Sequence, residues 1–403
     1  MTSLLQSQRA VNLNKIPDQT GKVFVVTGGN IGLGYEVAKA LAASNAHVFM
    51  TARNPEKQRG SVFFHLHLCS RVNKSLSIDL DCCLTIALIL CSILCRAIQR
   101  IKSDHPGAKI EGLHVDYLNG FGAPSVTSTY IITESALACL NRDIEDCAEQ
   151  FKARNLPLHG LINNIGTENP PDIKSKEGFD PTQASNYLGH FYLTHLLLEK
   201  LMETSQSRVV NLTSLVEPNG TIEWTDIGGK KVKRSGYQMY AASKLMLYMF
   251  GVELQKRLRS VGSSTDIFSA HPGVARTDAF RKSDKSKAMA RIMASGADFI
   301  GQSPGGGAQS LVRCATDPAL TGMGGGDRHW GSWYTGIPFQ PFGSTWPLCF
   351  TLNWNNMGYR SPINPLIRDP EACTKLYLAT LELVNEYAAT KIAACGERSV
   401  SAR

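Results

Sequence analysis

The stretch "KVFVVTGGNIGLGYEVAKALAASNAHVFMTARN", from Lys22 to Asn54, constrains this chain more than any other. Val23 to Val26 form an apolar run of the kind buried on both faces of a sheet. A turn punctuated by Gly28, Gly32 and Gly34 follows, with Asn30 and Ile31 inside it. Val37, Ala38, Leu41 and Ala42 then fall on one stripe of a helix. "HVFMTA" supplies a second strand at the spacing of a βαβ unit. The order strand, glycine turn, helix, strand predicts an α/β fold built on a βαβ unit. A turn without side chains lets backbone N–H groups and a helix N-terminus approach a pyrophosphate. A turn that is only structural is the alternative.

A second stretch, "YQMYAASKLML", carries Tyr240 and Lys244 at i and i+4, one above the other on a helix face. An unperturbed phenol titrates near 10. A neighbouring ammonium stabilises the phenolate, which suits a residue that exchanges a proton with an alcohol or carbonyl oxygen. Tyr237 has Ala241 four residues on and lacks such a partner. Upstream, "RVVNLTS" reads as a buried strand with Thr213 and Ser214 at its C-terminal end, where ligands of open α/β sheets gather.

"TGGNIGLG", with its Gly-x-x-x-Gly-x-Gly spacing, resembles the cofactor loop of the short-chain dehydrogenase/reductase family, and within it the retinol-dehydrogenase-like and WW-domain-oxidoreductase-like members. The resemblance implies a Rossmann doubly wound parallel sheet, with a nicotinamide dinucleotide as cofactor. It implies that Tyr240 is the acid/base, that Lys244 also holds the nicotinamide ribose, and that Ser214 orients the substrate oxygen. Thr213 is the weaker competitor for that hydroxyl. Asn186, in "SNYLGHFYLTHLLL", matches the asparagine that anchors a water in the proton relay; an asparagine that only bonds backbone is the alternative. "LINNIGTE" is similar to the family's turn after the fourth strand, through Asn163, Asn164 and Gly166, with Ile165 in place of the usual alanine. "AHPGVARTD" matches the turn in which Pro272 and Gly273 bend toward the nicotinamide and Thr277 touches its carboxamide. Asp116 in "LHVDYLN" fits the aspartate that binds the adenine amino group, or is a surface carboxylate. The match covers roughly residues 20 to 300.

The second strand ends "TARN", without the acidic residue that takes ribose hydroxyls. Arg53 would instead pair with a 2′-phosphate through its fork of donors, which favours NADP(H) over NAD(H). An arginine that faces solvent is the alternative.

Two segments break the rhythm. The interval from Arg53 to Asp116 is about twice what one helix and its turns need. Removing residues 61 to 96 restores one amphipathic helix and a strand. Removing residues 120 to 142 does the same between Asp116 and Asn163. Both are expected to be translated intron or mis-assigned exon sequence. The apolar run from Leu84 to Cys95 is shorter than the roughly 20 residues of a membrane span. The expected organisation is an N-terminal extension over 1–20, one Rossmann catalytic domain over 21–320 with these insertions, and a C-terminal extension over 321–403. In that extension Trp330, Trp333, Trp346 and Trp354 would wall a lipophilic cleft, or simply pack.

The 43% apolar and 19% charged composition is that of an ordinary globular protein. A net charge of +8, without a basic cluster interleaved with aromatics, gives nucleic-acid binding little support. The N-terminus lacks a signal-type apolar core, and the eleven cysteines, none in a CxxC pair, are expected as reduced thiols rather than staples or a metal site. The chain is therefore expected to be a cytoplasmic oxidoreductase, with peripheral membrane association and homo-oligomerisation left open. Its substrate would be a small, lipophilic alcohol or carbonyl. The alternative is a non-catalytic dinucleotide-binding or scaffold protein, or an inactive splice product, because of the insertions.

Overall fold

The computed structural model describes residues 16–52, 96–114, 143–168, 170, 174–175, 177–273, 303–325, 329–331, 363–388 and 392–396. Arg53, Asp116 and Thr277, nearly all of 61–96, all of 120–142, and Trp333, Trp346 and Trp354 lie outside them.

Seven parallel strands form one sheet in the order β3-β2-β1-β4-β5-β6-β7. They are β1 Val23–Val26, β2 His47–Ala52, β3 Lys109–His114, β4 Gly160–Asn163, β5 Arg208–Leu212, β6 Asp266–His271 and β7 His329–Gly331. Their side chains alternate between two cores, as the pleat requires. Val23, Val25, Phe49, Leu161, Val209 and Ile267 face one apolar cluster. Phe24, Val26, Val48, Met50, Ile162, Val210 and Phe268 face the other. The second core lies under α1 (Gly32–Ala43) and α6 (Pro304–Thr316). The first lies under α2 (Asp143–Lys152), α3 (Gly189–Leu196), α4 (Leu198–Glu203) and α5 (Gly236–Ser260), with α7 (Pro370–Tyr387) packed on α5. Helices on both faces of a parallel sheet make a single doubly wound α/β domain.

Ser303 caps α6 by accepting from Gly306 N, so Gly305 to Gly307 lie in its opening residues. In its described residues the segment 321–403 packs into the domain. It supplies edge strand β7 and helix α7, whose Leu376, Tyr377 and Val384 are fully buried in the first core. A sheet edge and an apolar helix stripe both need partners, and the domain provides them.

β2 and β3 pair in register from His47↔Lys109 to Ala52↔His114. The long connection between them therefore leaves their pairing intact. Among the described residues no helix is long and apolar enough to cross a membrane.

Candidate functional site

The strand order reverses between β1 and β4, so their C-terminal ends open a crevice at the topological switch point. The glycine loop enters it from β1. Gly28 and Gly32 have φ of +66° and +60°, the left-handed region open to glycine at little cost. A Cβ on Gly32 would meet nothing within 4 Å, so this part of the loop faces open space. A Cβ on Gly34 would lie 2.3 Å from the Gly28 carbonyl oxygen. Only glycine lets α1 begin this close to the turn. The cap residue Ile31 is 46% exposed and gives α1 no side-chain bond, and Asn30 beside it is partly exposed. The first N–H groups of α1 thus point into the crevice without a side-chain cap, the arrangement that receives phosphate oxygens. These residues fit a dinucleotide pyrophosphate. Gly34→Ala forces the loop and helix apart. It is expected to lower cofactor affinity at least tenfold and stability by about 1–3 kcal/mol, read by fluorescence titration and melting.

Residues outside the glycine pattern hold that loop. Thr51 on β2 accepts from Gly28 N through Oγ1 at 3.2 Å and from Gly29 N through its carbonyl at 3.0 Å. Thr27 Oγ1 donates to Ile162 O and accepts from Asn164 N and Ile165 N. Asn164 Nδ2 donates to Thr27 O at 2.8 Å and to Gly28 O at 3.3 Å. Thr27 opens the quoted glycine motif, whereas Thr51 has no spacing signature by which the sequence could have revealed it. Asn163, expected at the cofactor, is fully buried, and its Nδ2 donates to Thr194 Oγ1 and Asn211 Oδ1. It fastens β4 to β5 and α3, while its neighbour Asn164 tends the loop. Ile165 fits without crowding, because Gly28 presents no Cβ where the Ile165 side chain approaches. His190 fixes it further through a 2.8 Å bond to Ile165 O.

β5 and α5 bring the polar side chains together. A capping box of Ser235 and Gln238 starts α5 and sets its first turns over the sheet ends. Ser214 stands just beyond β5, with its hydroxyl near enough to the Tyr240 phenol to offset part of the effect of its burial. Lys244, 2% exposed, has its Nζ 5.7 Å from the Tyr240 ring centroid and donates to Leu212 O at 2.7 Å. Gly166 lies against it; a Cβ there would sit 3.3 Å from Lys244 Nζ and 3.7 Å from Asn186 Oδ1. Asn186 occupies a five-residue π-turn, Ala184–Leu188, a local irregularity often found at functional sites. Its side chain bonds Thr167 through N–H and carbonyl and donates to Ser243 Oγ, so it clamps the 164–167 loop to α5. Gly273, at φ +67°, turns the chain after β6 by donating to His271 Nδ1, with Pro272 beside it. Thr213, by contrast, is buried with Oγ1 on Ala270 O. Tyr237 is 44% exposed and receives a bond from Asn219.

One electrostatic expectation reverses. The Tyr240 phenol is not acidified by its neighbour. Burial pushes it up to about 12, the Ser214 hydroxyl offsets this only in part, and the Glu168 carboxylate adds to the rise. Glu168 is itself pushed above the usual carboxylate range by burial. Lys244 is pulled down to about 7, because enclosure disfavours the ammonium. The i,i+4 spacing aligns the two side chains, but desolvation outweighs their mutual field. At neutral pH Tyr240 keeps its proton, as a proton donor must.

A separate small cavity lies beside Glu223, Asp226, Arg234, Met239 and Met246. Met239 and Met246 are on a different stripe of α5 from Tyr240 and Lys244, so this cavity is not the crevice.

The description "short chain dehydrogenase" matches residues 135–288. Retinol dehydrogenase 11 of Mus musculus is 31% identical over 305 residues, 76% of either chain. Polyprenol dehydrogenase of Homo sapiens is 28% identical over 313 residues, 77% of either chain. The fold matches the crystal structure of an uncharacterised protein from Mycobacterium paratuberculosis at a TM-score of 0.55 and 21% identity, covering 93% of this chain and 97% of that one. With a seven-stranded Rossmann sheet, an uncapped glycine loop and relatives at this identity, the chain belongs to the short-chain dehydrogenase/reductase family, in its retinol-dehydrogenase-like branch of NAD(P)-binding oxidoreductases that act on CH–OH groups.

Proposed function

We propose that this chain is an NADP(H)-dependent oxidoreductase that interconverts a lipophilic alcohol and its carbonyl through Tyr240, Lys244, Ser214 and Asn186. The observation that carries this reading is that Ser214, just past the C-terminal end of β5, and Lys244, with its Nζ 5.7 Å from the Tyr240 ring centroid, both stand beside Tyr240. Two neighbouring hydroxyls can share a third oxygen between them, one orienting it and one exchanging a proton with it. The bound nicotinamide supplies or accepts the hydride. Lys244 holds its ribose, Gly28, Gly32 and Gly34 admit its pyrophosphate, and Asn186 keeps the Gly166–Thr167 loop in place beside Lys244.

Tyr240, protonated at neutral pH, is in the form that donates to a carbonyl oxygen in the reductive direction. The lipophilic substrate is supported by the names of the similar proteins, a retinol dehydrogenase and a polyprenol dehydrogenase. Both are water-insoluble alcohols, in keeping with a cytoplasmic enzyme that works at a membrane surface.

Preference for NADP(H) rests on Arg53, directly after β2, and on the absence of an acid at that strand end. Arg53→Ala is expected to weaken NADPH binding about tenfold and leave NADH binding unchanged, since only the 2′-phosphate loses its partner. Equal losses for both nucleotides, by fluorescence titration, would sink the preference.

A further inference from the structure

The turn that follows Ser214 is held from behind by the C-terminal part of the chain. Glu217, fully buried, opens a 3-10 turn over Glu217–Asn219 and donates its backbone N–H to Ser214 O at 3.2 Å. The turn ends at Gly220, which is wedged against α5. A Cβ on Gly220 would lie 2.7 Å from both Ala241 O and Leu245 Cβ. Those two residues directly follow Tyr240 and Lys244. On the other side stands Asn364, 7% exposed, from a segment almost 150 residues further along the chain. Its backbone N–H donates to Glu217 Oε1 at 3.2 Å. Its Nδ2 donates to Pro218 O at 3.1 Å and Gly220 O at 2.8 Å. Its Oδ1 accepts from Leu366 N, which orients the amide, and Ile367 is buried beside it.

A buried carboxylate and amide spent on one four-residue turn are costly features for an ordinary loop, since unpaired they would each be strongly unfavourable. Here they fix a short turn that links Ser214 to the stretch of α5 that bears Tyr240. We propose that Glu217 and Asn364 are positioning residues, a clamp by which the C-terminal segment sets Ser214 against Tyr240 for catalysis. This rests on the reading of Ser214 and Tyr240 given above. The C-terminal segment thereby acts on the chemistry from behind the turn, whatever else it does over the crevice.

The test uses the full chain carrying Glu217→Ala, Glu217→Gln or Asn364→Ala, with Tyr240→Phe in parallel. Readouts are NADPH turnover of all-trans-retinal and nonanal, NADPH affinity, melting temperature, and the ultraviolet titration of the Tyr240 phenol by difference from Tyr240→Phe. Loosening a reacting group by a fraction of an ångström costs on the order of 10- to 100-fold. The two alanine variants are therefore expected to lose kcat by that factor, with KM and NADPH affinity unchanged and the Tyr240 titration moved to higher pH. Glu217→Gln keeps an acceptor for Asn364 N–H and is expected to restore kcat and titration to near the unaltered values. Folded alanine variants with unaltered kcat and unaltered Tyr240 titration overturn the clamp, as does a Gln variant impaired as badly as Ala. If Glu217→Ala fails to melt cooperatively, Asn364→Ala and the Gln variant decide the matter. A dead Tyr240→Phe beside intact clamp variants overturns the clamp alone; turnover persisting in Tyr240→Phe overturns the site itself.

Discussion

Tyr240→Phe is expected to lower kcat by roughly 10²–10⁴-fold while NADPH still binds, because the phenol oxygen is the group placed to move a proton. The ring stays in position: its place on α5 and the Lys244 side chain over its face do not require the hydroxyl. Ser214 loses a neighbouring hydroxyl but remains anchored by its backbone bond with Glu217. The loss therefore falls on chemistry rather than on binding. The pH dependence adds a second, independent signature. A phenol held near 12 donates its proton readily only to an oxygen that is becoming negative, so carbonyl reduction should be level from acid to neutral pH. Alcohol oxidation needs the phenolate and should rise steadily toward alkaline pH. Lys244, near 7, stands between these regimes, and Lys244→Met should remove whatever inflection appears around neutrality. The measurement is kcat for both directions across pH in the two variants and the unaltered chain. A Tyr240→Phe enzyme with kcat within a factor of a few of the original would end the acid/base assignment.

What the sequence disclosed and what it withheld follow physical lines. The glycine loop was legible because three residues without side chains between an apolar run and an amphipathic stripe have few other uses. Tyr240 and Lys244 were legible as a pair because helical periodicity alone places i and i+4 together. Their electrostatics were not, since acidity depends on how much water each group loses, and enclosure is a property of the assembled crevice. The choice between Asn163 and Asn164 was hidden for a related reason. Adjacent residues at a strand end point opposite ways, and the phase of the pleat fixes which one meets the loop. The clamp by Asn364 was invisible because it joins segments far apart in the chain through backbone groups that any residue carries. Arg53, Asp116 and Thr277 remain sequence-based expectations, outside the described residues.

Acidification from pH 7 to 4.5 is expected to destabilise the folded chain by about 5 kcal/mol, through three buried histidines. His190 is held down to about 3, and His195 and His271 to about 4, in each case mainly because enclosure disfavours the imidazolium. All three are at most 8% exposed. Each also bonds the backbone: His190 to Ile165 O, His195 to Phe191 O, and His271 Nδ1 from Gly273 N. The sign follows from proton counts. The unfolded chain binds a proton at each imidazole below about 6.5, whereas the folded chain does not until far lower, so unfolding takes up protons and stability falls with pH. Each imidazole loses on the order of 3 kcal/mol by pH 4.5, at about 1.4 kcal/mol for every pH unit. Glu217 works the other way. Burial lifts it to about 7, so the folded chain keeps a proton that the unfolded chain releases above about 4.5, and its contribution grows by about 3 kcal/mol on acidification. Glu168 adds in the same direction as Glu217. The histidines outweigh this, and the net loss is a large share of the 5–15 kcal/mol by which domains are usually stable. Melting temperatures at pH 7 and 4.5 should differ by roughly 10 °C or more. His195 separates the cause from general acid effects, because it sits among Phe191, Phe250 and Tyr377, well inside the first core. His195→Phe should melt lower at pH 7, having lost the bond to Tyr377 OH, yet show a slope of stability against pH smaller by one proton. A melting temperature that is level between the two pH values, or a slope that His195→Phe leaves untouched, would mean that the imidazoles are already hydrated in the native state.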